Sequence, residues 1–181
     1  MGILVNQNTD LIPILIMFIE KKNKHGNYSF HFINSKEDLE SWKSQGYIMQ
    51  DEYERLKNEP VKHEPGMPVK SPLDPNMVIQ TLKTWWSKSD WRNTNRINSK
   101  CVRQTTNADG TKSAELDAIM YRDLRIKSAL KSWDLKDESG KVIPVTENVI
   151  DSLVPEVAYE LLNNYDKVTA SEFKEDENDD S

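Results

Sequence analysis

Apolar and polar positions change rhythm several times along this chain, and each change marks an element. Residues 11–21 are dense in apolar side chains, with Ile12, Ile14, Ile16 and Ile19 among them. The polar stretch "KKNKHGN" then supplies turn chemistry. In "YSFHFINS", Tyr28, Phe30 and Phe32 alternate with Ser29, His31 and Ile33. Two such runs around Gly26-Asn27 predict a β-hairpin, in which His31 is expected to face inward. Pro13 lacks an N–H and belongs at the start of its strand or on an edge. "ILV" at 3–5 predicts a further short strand. Ser35 with Asp38 resembles a capping box for a short helix carrying Leu39 and Trp42 and ending at Gly46. "MQDEYERLKNE" predicts a second short helix.

Five of the eight prolines fall in "PVKHEPGMPVKSPLDP", residues 60–75. That density forbids regular helix and predicts an extended, semi-rigid linker; the competing picture is a long ordered loop over one fused domain. Beyond it, Val78, Ile79, Leu82, Trp85 and Trp86 fit one helical face. A second helix follows with Ser89 or Asp90 as N-cap, then a loop turning at Asp109-Gly110. "AELDAIMYRDLRIKSALKSW" predicts a long helix with Leu116, Ile119, Met120, Leu124, Lys127 and Leu130 on or near one face. The expected class is α+β. It comprises a β-hairpin and helix module at 1–59, a linker at 60–75, a mainly helical module at 76–168 and an acidic disordered tail at 169–181.

Charge changes this picture at one end. The chain has 181 residues and a formal net charge of −6. The last eleven, "SEFKEDENDDS", hold six acids and one lysine, which is −5 and leaves −1 for residues 1–170. A near-neutral body with a solubilising acidic tail is the expectation. Cys101 is the single cysteine, so no internal disulfide is expected. His25, His31 and His63 lack metal-ligand spacing, and no cofactor is expected. The apolar run "LIPILIMFIE" at 11–20 falls well short of the roughly 20 residues of a transmembrane helix and reads as a buried strand; no membrane partner is expected.

Two clusters are candidate binding chemistry. Trp85, Trp86 and Trp91 lie within seven positions and suit either a helical core or an aromatic partner surface. Lys88, Arg92, Arg96, Lys100 and Arg103 recur every three or four residues. With seven basic residues against two acids between 83 and 112, they form either a solvated face or a phosphate-contacting stripe. The acidic tail is a further candidate occupant of this stripe. No Ser/His/Asp set, Gly-rich phosphate loop or metal motif stands out. An enzyme would need a pocket gathering His31 with carboxylates from distant positions.

The stretch "SWDLKDESGKVIPVTENVIDSLVPEVAYELL" is closely specified by turn and cap residues. "DESG" reads as a turn closing on Gly140. Pro144 keeps Ile143 extended. Thr146 is an N-cap, and Pro155 restarts helix at a first-turn position. These elements are expected to fold back on Trp133 at the end of the preceding helix. The series Trp133, Asp137, Gly140, Pro144, Thr146, Ile150, Leu153 and Pro155 resembles the C-terminal part of tail-assembly chaperones and related small morphogenesis proteins of tailed bacteriophages, over about residues 115–168. The resemblance implies a non-enzymatic role in virion assembly in the host cytoplasm, or attachment to the virion. It also implies partners such as a helical tape-measure protein and tail-tube subunits, and self-association. The alternative is a nucleic-acid-binding accessory protein using the basic stripe at 88–103.

Overall fold

The structure is a computed structural model that describes residues 11–58 and 69–175. The chain order is β1 (Ile12–Lys22), β2 (Tyr28–Phe32), α1 (Lys36–Ser44), α2 (Gln50–Asn58), β3 (Val69–Lys70) and β4 (Met77–Trp86). There follow α3 (Trp91–Cys101), β5 (Val102–Thr106), β6 (Lys112–Leu116), α4 (Ala118–Ala129), β7 (Leu130–Trp133), α5 (Glu147–Asp151) and α6 (Pro155–Glu175). The class is α+β, as expected. The short strand expected at 3–5 lies outside the described residues, as do most of the proline-rich stretch and the final 176–181.

The main sheet has the order β2-β1-β4-β3, with β7 also pairing β4, and every pairing is antiparallel. The hairpin is present: β1 meets β2 from Phe18↔Phe32 to Lys22↔Tyr28. Pro13 sits near the start of β1, beyond the stretch that β2 covers. The segment just after the proline-rich stretch lies directly against the segment before it, because β1 and β4 pair from Ile12↔Trp86 to Lys21↔Met77.

This last pairing corrects the helix expected over 75–86, which is the strand β4. Its even positions Leu82, Thr84 and Trp86 and its odd positions Met77 and Ile79 are all buried. Helices cover both faces, so the strand is apolar at both parities. An apolar run of that kind matches a helical face as well as a strand.

On one face Ile12, Ile14, Ile16 and Phe18 join Leu82, Trp86 and Trp133 under Ile126 and Ala129 of α4, Ile150 of α5, and Val157, Leu161, Leu162 and Tyr165 of α6. On the other, Ile19, Met77 and Ile79 pack with Ile33, Leu39, Ile48, Tyr53 and Leu56. The Ser35 cap forms, since the Asp38 N–H donates to Ser35 Oγ at 3.0 Å. The return bond is displaced by one residue, with the Asn34 N–H donating to Asp38 Oδ2 at 3.2 Å. Contrary to expectation His31 is exposed: it pairs with Ile19 on the face of the second cluster but lies on the edge strand β2, with its ring 5.9 Å from that of Trp42.

The long helix expected from 114 is shorter at both ends. Asp117 caps α4 by accepting from the Met120 N–H at 3.0 Å. Residues 130–133 leave the helix to pair with the end of β4 at Trp86↔Leu130 and Thr84↔Trp133. Trp133 is therefore a strand residue, and its indole N–H donates to the Ile143 carbonyl at 2.6 Å. The helix also lies rotated from expectation: Ile126 and Ala129 are buried while Ile119 is 75% exposed.

After Trp133 the local signals act as read. Gly140 adopts φ 81°, and its N–H donates to the Asp137 carbonyl at 2.9 Å. Pro144 follows Ile143, whose N–H donates to the Leu135 carbonyl at 2.9 Å. Thr146 caps α5, accepting from the Val149 N–H at 3.3 Å, and Pro155 is the first residue of α6. That helix runs through Glu175, into the stretch expected as disordered tail. Among the described residues no helix is long and apolar enough to cross a membrane.

Candidate functional site

The unit α3-β5-β6-α4 is built around a projecting arm. Asp90 caps α3 by accepting from the Asn93 N–H at 2.6 Å. Ile97 and Cys101 anchor α3, at 4% and 0% exposure. The chain then passes straight into β5, turns at residues 107–110 and returns as β6, paired from Val102↔Leu116 to Thr106↔Lys112. This hairpin was expected only as a loop, because its strands carry almost no apolar alternation. All ten strand residues are exposed. A two-stranded sheet alone is marginal in water. Here its base is closed by the Asp117 N–H donating to the Cys101 carbonyl at 2.8 Å and by the Arg103–Asp117 ion pair at 2.7 Å.

The arm's turn depends on Asp109. Its Oδ1 accepts from the Thr111 hydroxyl at 2.6 Å and the Thr111 N–H at 3.0 Å. The hydroxyl is the largest of the influences that hold this carboxyl below its ordinary range, followed by the Thr111 N–H. Asp137 repeats the device in the turn after Trp133, lowered first by the Ser139 hydroxyl and then by the Lys141 N–H. A depressed carboxyl pKa stabilises the folded turn above the ordinary value and loses that contribution as pH falls through the folded one. In an acid titration by NMR, the carboxyl carbons of Asp109 and Asp137 should therefore titrate below the usual value of about 3.9. The Thr111 and Ser139 amide signals should shift at the same midpoints. Midpoints at or above the ordinary value would contradict these bonds.

At the arm's base, apolar side chains stay in water. Val102 and Leu116, partners across the ladder, are 41% and 49% exposed, and Ile119 and Met120 follow in the first turn of α4. Ile119 is also the rim of a groove of about 330 Å³ between α4, α5 and α6. Ile126, Ile150, Pro155, Ala158, Tyr159 and Leu162 line it, with Arg122, Asp123 and Asp151 at its edges. The Arg122 guanidinium lies 4.8 Å from the Tyr159 ring centre, over its face.

The other end of α3 borders a second concavity, open and polar, of about 630 Å³. Lys88, Arg92 and Arg96 line one side; Lys127, Ser128 and Lys131 line the other. Its floor is pinned where the Ser87 N–H donates to the Ala129 carbonyl at 2.8 Å and the Tyr165 hydroxyl donates to the Ser87 carbonyl at 2.9 Å. Asp151 at 2.6 Å and Asp123 at 3.0 Å neutralise Lys127, and hold its ammonium above the usual lysine range, Asp151 most strongly.

The expected stripe therefore divides. Lys88, Arg92 and Arg96 meet in the cleft. Lys100 lies in the last turn of α3 and does not line it. Arg103 belongs to β5 and is paired with Asp117. Lys131, missed from sequence, joins them because β7 pairs with β4. The tryptophans divide too. Trp86 is fully enclosed, stacked on Tyr165 with ring centres 4.9 Å apart. Trp85 points to the opposite face of β4, half-buried, with Lys83 Nζ 5.4 Å from its ring centre. Trp91 is 80% exposed.

Among the described residues no group of three or more His, Cys, Asp and Glu side chains could hold a metal ion. No protein-family model matches the chain, and no curated protein or solved structure was found to be similar to it.

Proposed function

We propose that this chain is a non-enzymatic assembly protein of a tailed bacteriophage, acting in the host cytoplasm or on the virion through protein–protein contact. The observation that carries the reading is the apolar groove between α4, α5 and α6, continuous with exposed Ile119. Its apolar lining and its Arg122, Asp123 and Asp151 edges suit the apolar face of an amphipathic helix. The groove lies within the stretch that resembles tail-assembly chaperones, and the helical tape-measure protein of the same particle is the partner that resemblance implies. The turn and cap residues on which the resemblance rests have a matching physical role, since Gly140, Pro144, Thr146 and Pro155 set the course of α5 and α6 along the groove.

The test is co-expression with the tape-measure and tail-tube proteins of the same phage. The wild-type chain should co-elute with the tape-measure protein. Ile119→Asp should lower that affinity at least tenfold, the scale of a central apolar anchor. Its melting should stay within about 0.5 kcal/mol of wild type, because the side chain is exposed. A wild-type chain that elutes alone, or an Ile119→Asp variant that keeps the complex, would overturn the proposal.

A further inference from the structure

The cleft beside α3 serves a different chemistry from the groove. Besides Lys127, which Asp151 and Asp123 neutralise, the cationic side chains Lys88, Arg92, Arg96 and Lys131 border one open concavity. Among the described residues no carboxylate lies within salt-bridge distance of Arg92 or Arg96. The single acid in the lining, Asp90, is committed through Oδ1 to capping α3. Trp91, next in sequence to the lining residues Asp90 and Arg92 but not itself in the lining, is 80% exposed. Packing gives no reason for that exposure, whereas Trp86 shows what this chain does with an indole that belongs to its core.

We infer that this cleft binds single-stranded nucleic acid, with Lys88, Arg92, Arg96 and Lys131 on successive phosphates and Trp91 stacked on a base. A basic groove bordered by an aromatic face is the general arrangement for holding a flexible strand without reading its sequence. A shallow concavity suits a single strand better than a duplex, whose grooves are entered by a protruding helix or ribbon. The cleft is a local concentration of positive charge on a chain that is acidic as a whole, at −6. The linings of the cleft and the groove share no residue, although Lys127 of the cleft pairs with Asp123 and Asp151 at the groove's edge. The inference therefore goes beyond the assembly reading and stands or falls separately from it.

The experiment is fluorescence anisotropy of a labelled 12-nucleotide oligo(dT) with the full chain, from 50 to 200 mM salt. With three to four phosphates neutralised, log K against log salt should have a slope of about −2 to −3, so affinity falls about 20- to 50-fold across that range. Arg92→Ala with Arg96→Ala should weaken binding at least tenfold and make the slope shallower by about 1.4. Trp91→Ala should weaken it about fivefold or more with the slope unchanged. Lys112→Ala, on the arm, should change neither. All four residues are exposed, and unchanged thermal melts would verify folding. No binding at 50 mM salt, or a double variant that binds like wild type, would overturn the inference. So would tighter binding of a duplex of the same length, or heparin binding that shows the same losses in every variant, Trp91→Ala included. Any of these would leave co-elution with the tape-measure protein untouched.

Discussion

Trp86→Ala should strongly destabilise the fold. The side chain is wholly enclosed at the end of β4, stacked on Tyr165 of α6. Its indole N–H donates to Thr84 Oγ1 at 2.7 Å, and the Thr84 hydroxyl donates to the Ile14 carbonyl at 3.1 Å. One residue thus ties β4 to α6 by ring contact and to β1 through a buried hydroxyl. Truncating such a side chain costs about 3–5 kcal/mol, against a total of about 5–15 kcal/mol for an ordinary domain. In urea the midpoint should fall by about 1.5–2.5 M if the slope is near 2 kcal/mol per molar. Trp91→Ala should shift it by no more than about 0.5 kcal/mol. Equal effects from the two substitutions would mean that Trp86 does not occupy the core described.

Trp133→Ala should be nearly as damaging, at about 3–5 kcal/mol, and Trp133→Phe separates its two roles. Phenylalanine keeps most of the apolar contact with Ile150, Val157 and Leu161 but removes the donor to the Ile143 carbonyl. Leaving that carbonyl unmatched costs about 1–2 kcal/mol. The loss should be concentrated where the carbonyl sits. Amide exchange should accelerate at Ile143, whose own N–H donates to Leu135, and at Val149 and Ile150 in α5, more than in β1. Uniform acceleration throughout the sheet would show that the indole N–H does not hold that segment. Trp86 and Trp133 are diagonal neighbours across the β4–β7 ladder, so the two substitutions together should depart from additivity by more than about 0.5 kcal/mol.

Much of this molecule is legible where a local rule acts alone. Ser35, Asp90, Thr146 and Pro155 each mark a helix start, because a cap needs only its own first turn. The hairpin of β1 and β2 is legible because a turn lies between alternating runs. Legibility fails where distant residues decide. β4 reads as a helix because its second apolar face is explained only by α1 and α2 on the far side of the sheet. β7 is hidden in a strong helical pattern, since pairing with Trp86 and Thr84 overrides local propensity. The arm is hidden because its strands bury nothing; their cross-strand bonds, such as Thr105 Oγ1 to Ser113 Oγ at 2.7 Å, leave no hydrophobic trace. For the cleft, Lys88, Arg92 and Arg96 are legible as a helical stripe. Lys131 is not, for its place follows from β7. The groove is visible only once α4 is seen to turn Ile119 outward.

The ladder between β1 and β4 also sets an order of events as the chain is made. β1 emerges early, with Ile12, Ile14, Ile16 and Phe18 along one side, yet its long partner is complete only at Trp86. At a synthesis rate of about 5–20 residues per second, the strand waits about 3–13 seconds. Until then only β2 is beside it, and a lone hairpin is marginal in water. For those seconds a strongly apolar strand has one edge uncovered. Its face of Ile12, Ile14, Ile16 and Phe18 is uncovered too, since the covering helices α4 to α6 come later still. Such a form is prone to pairing with another nascent chain. Slower translation through residues 23–76 should thus lower the soluble yield of an otherwise unchanged sequence.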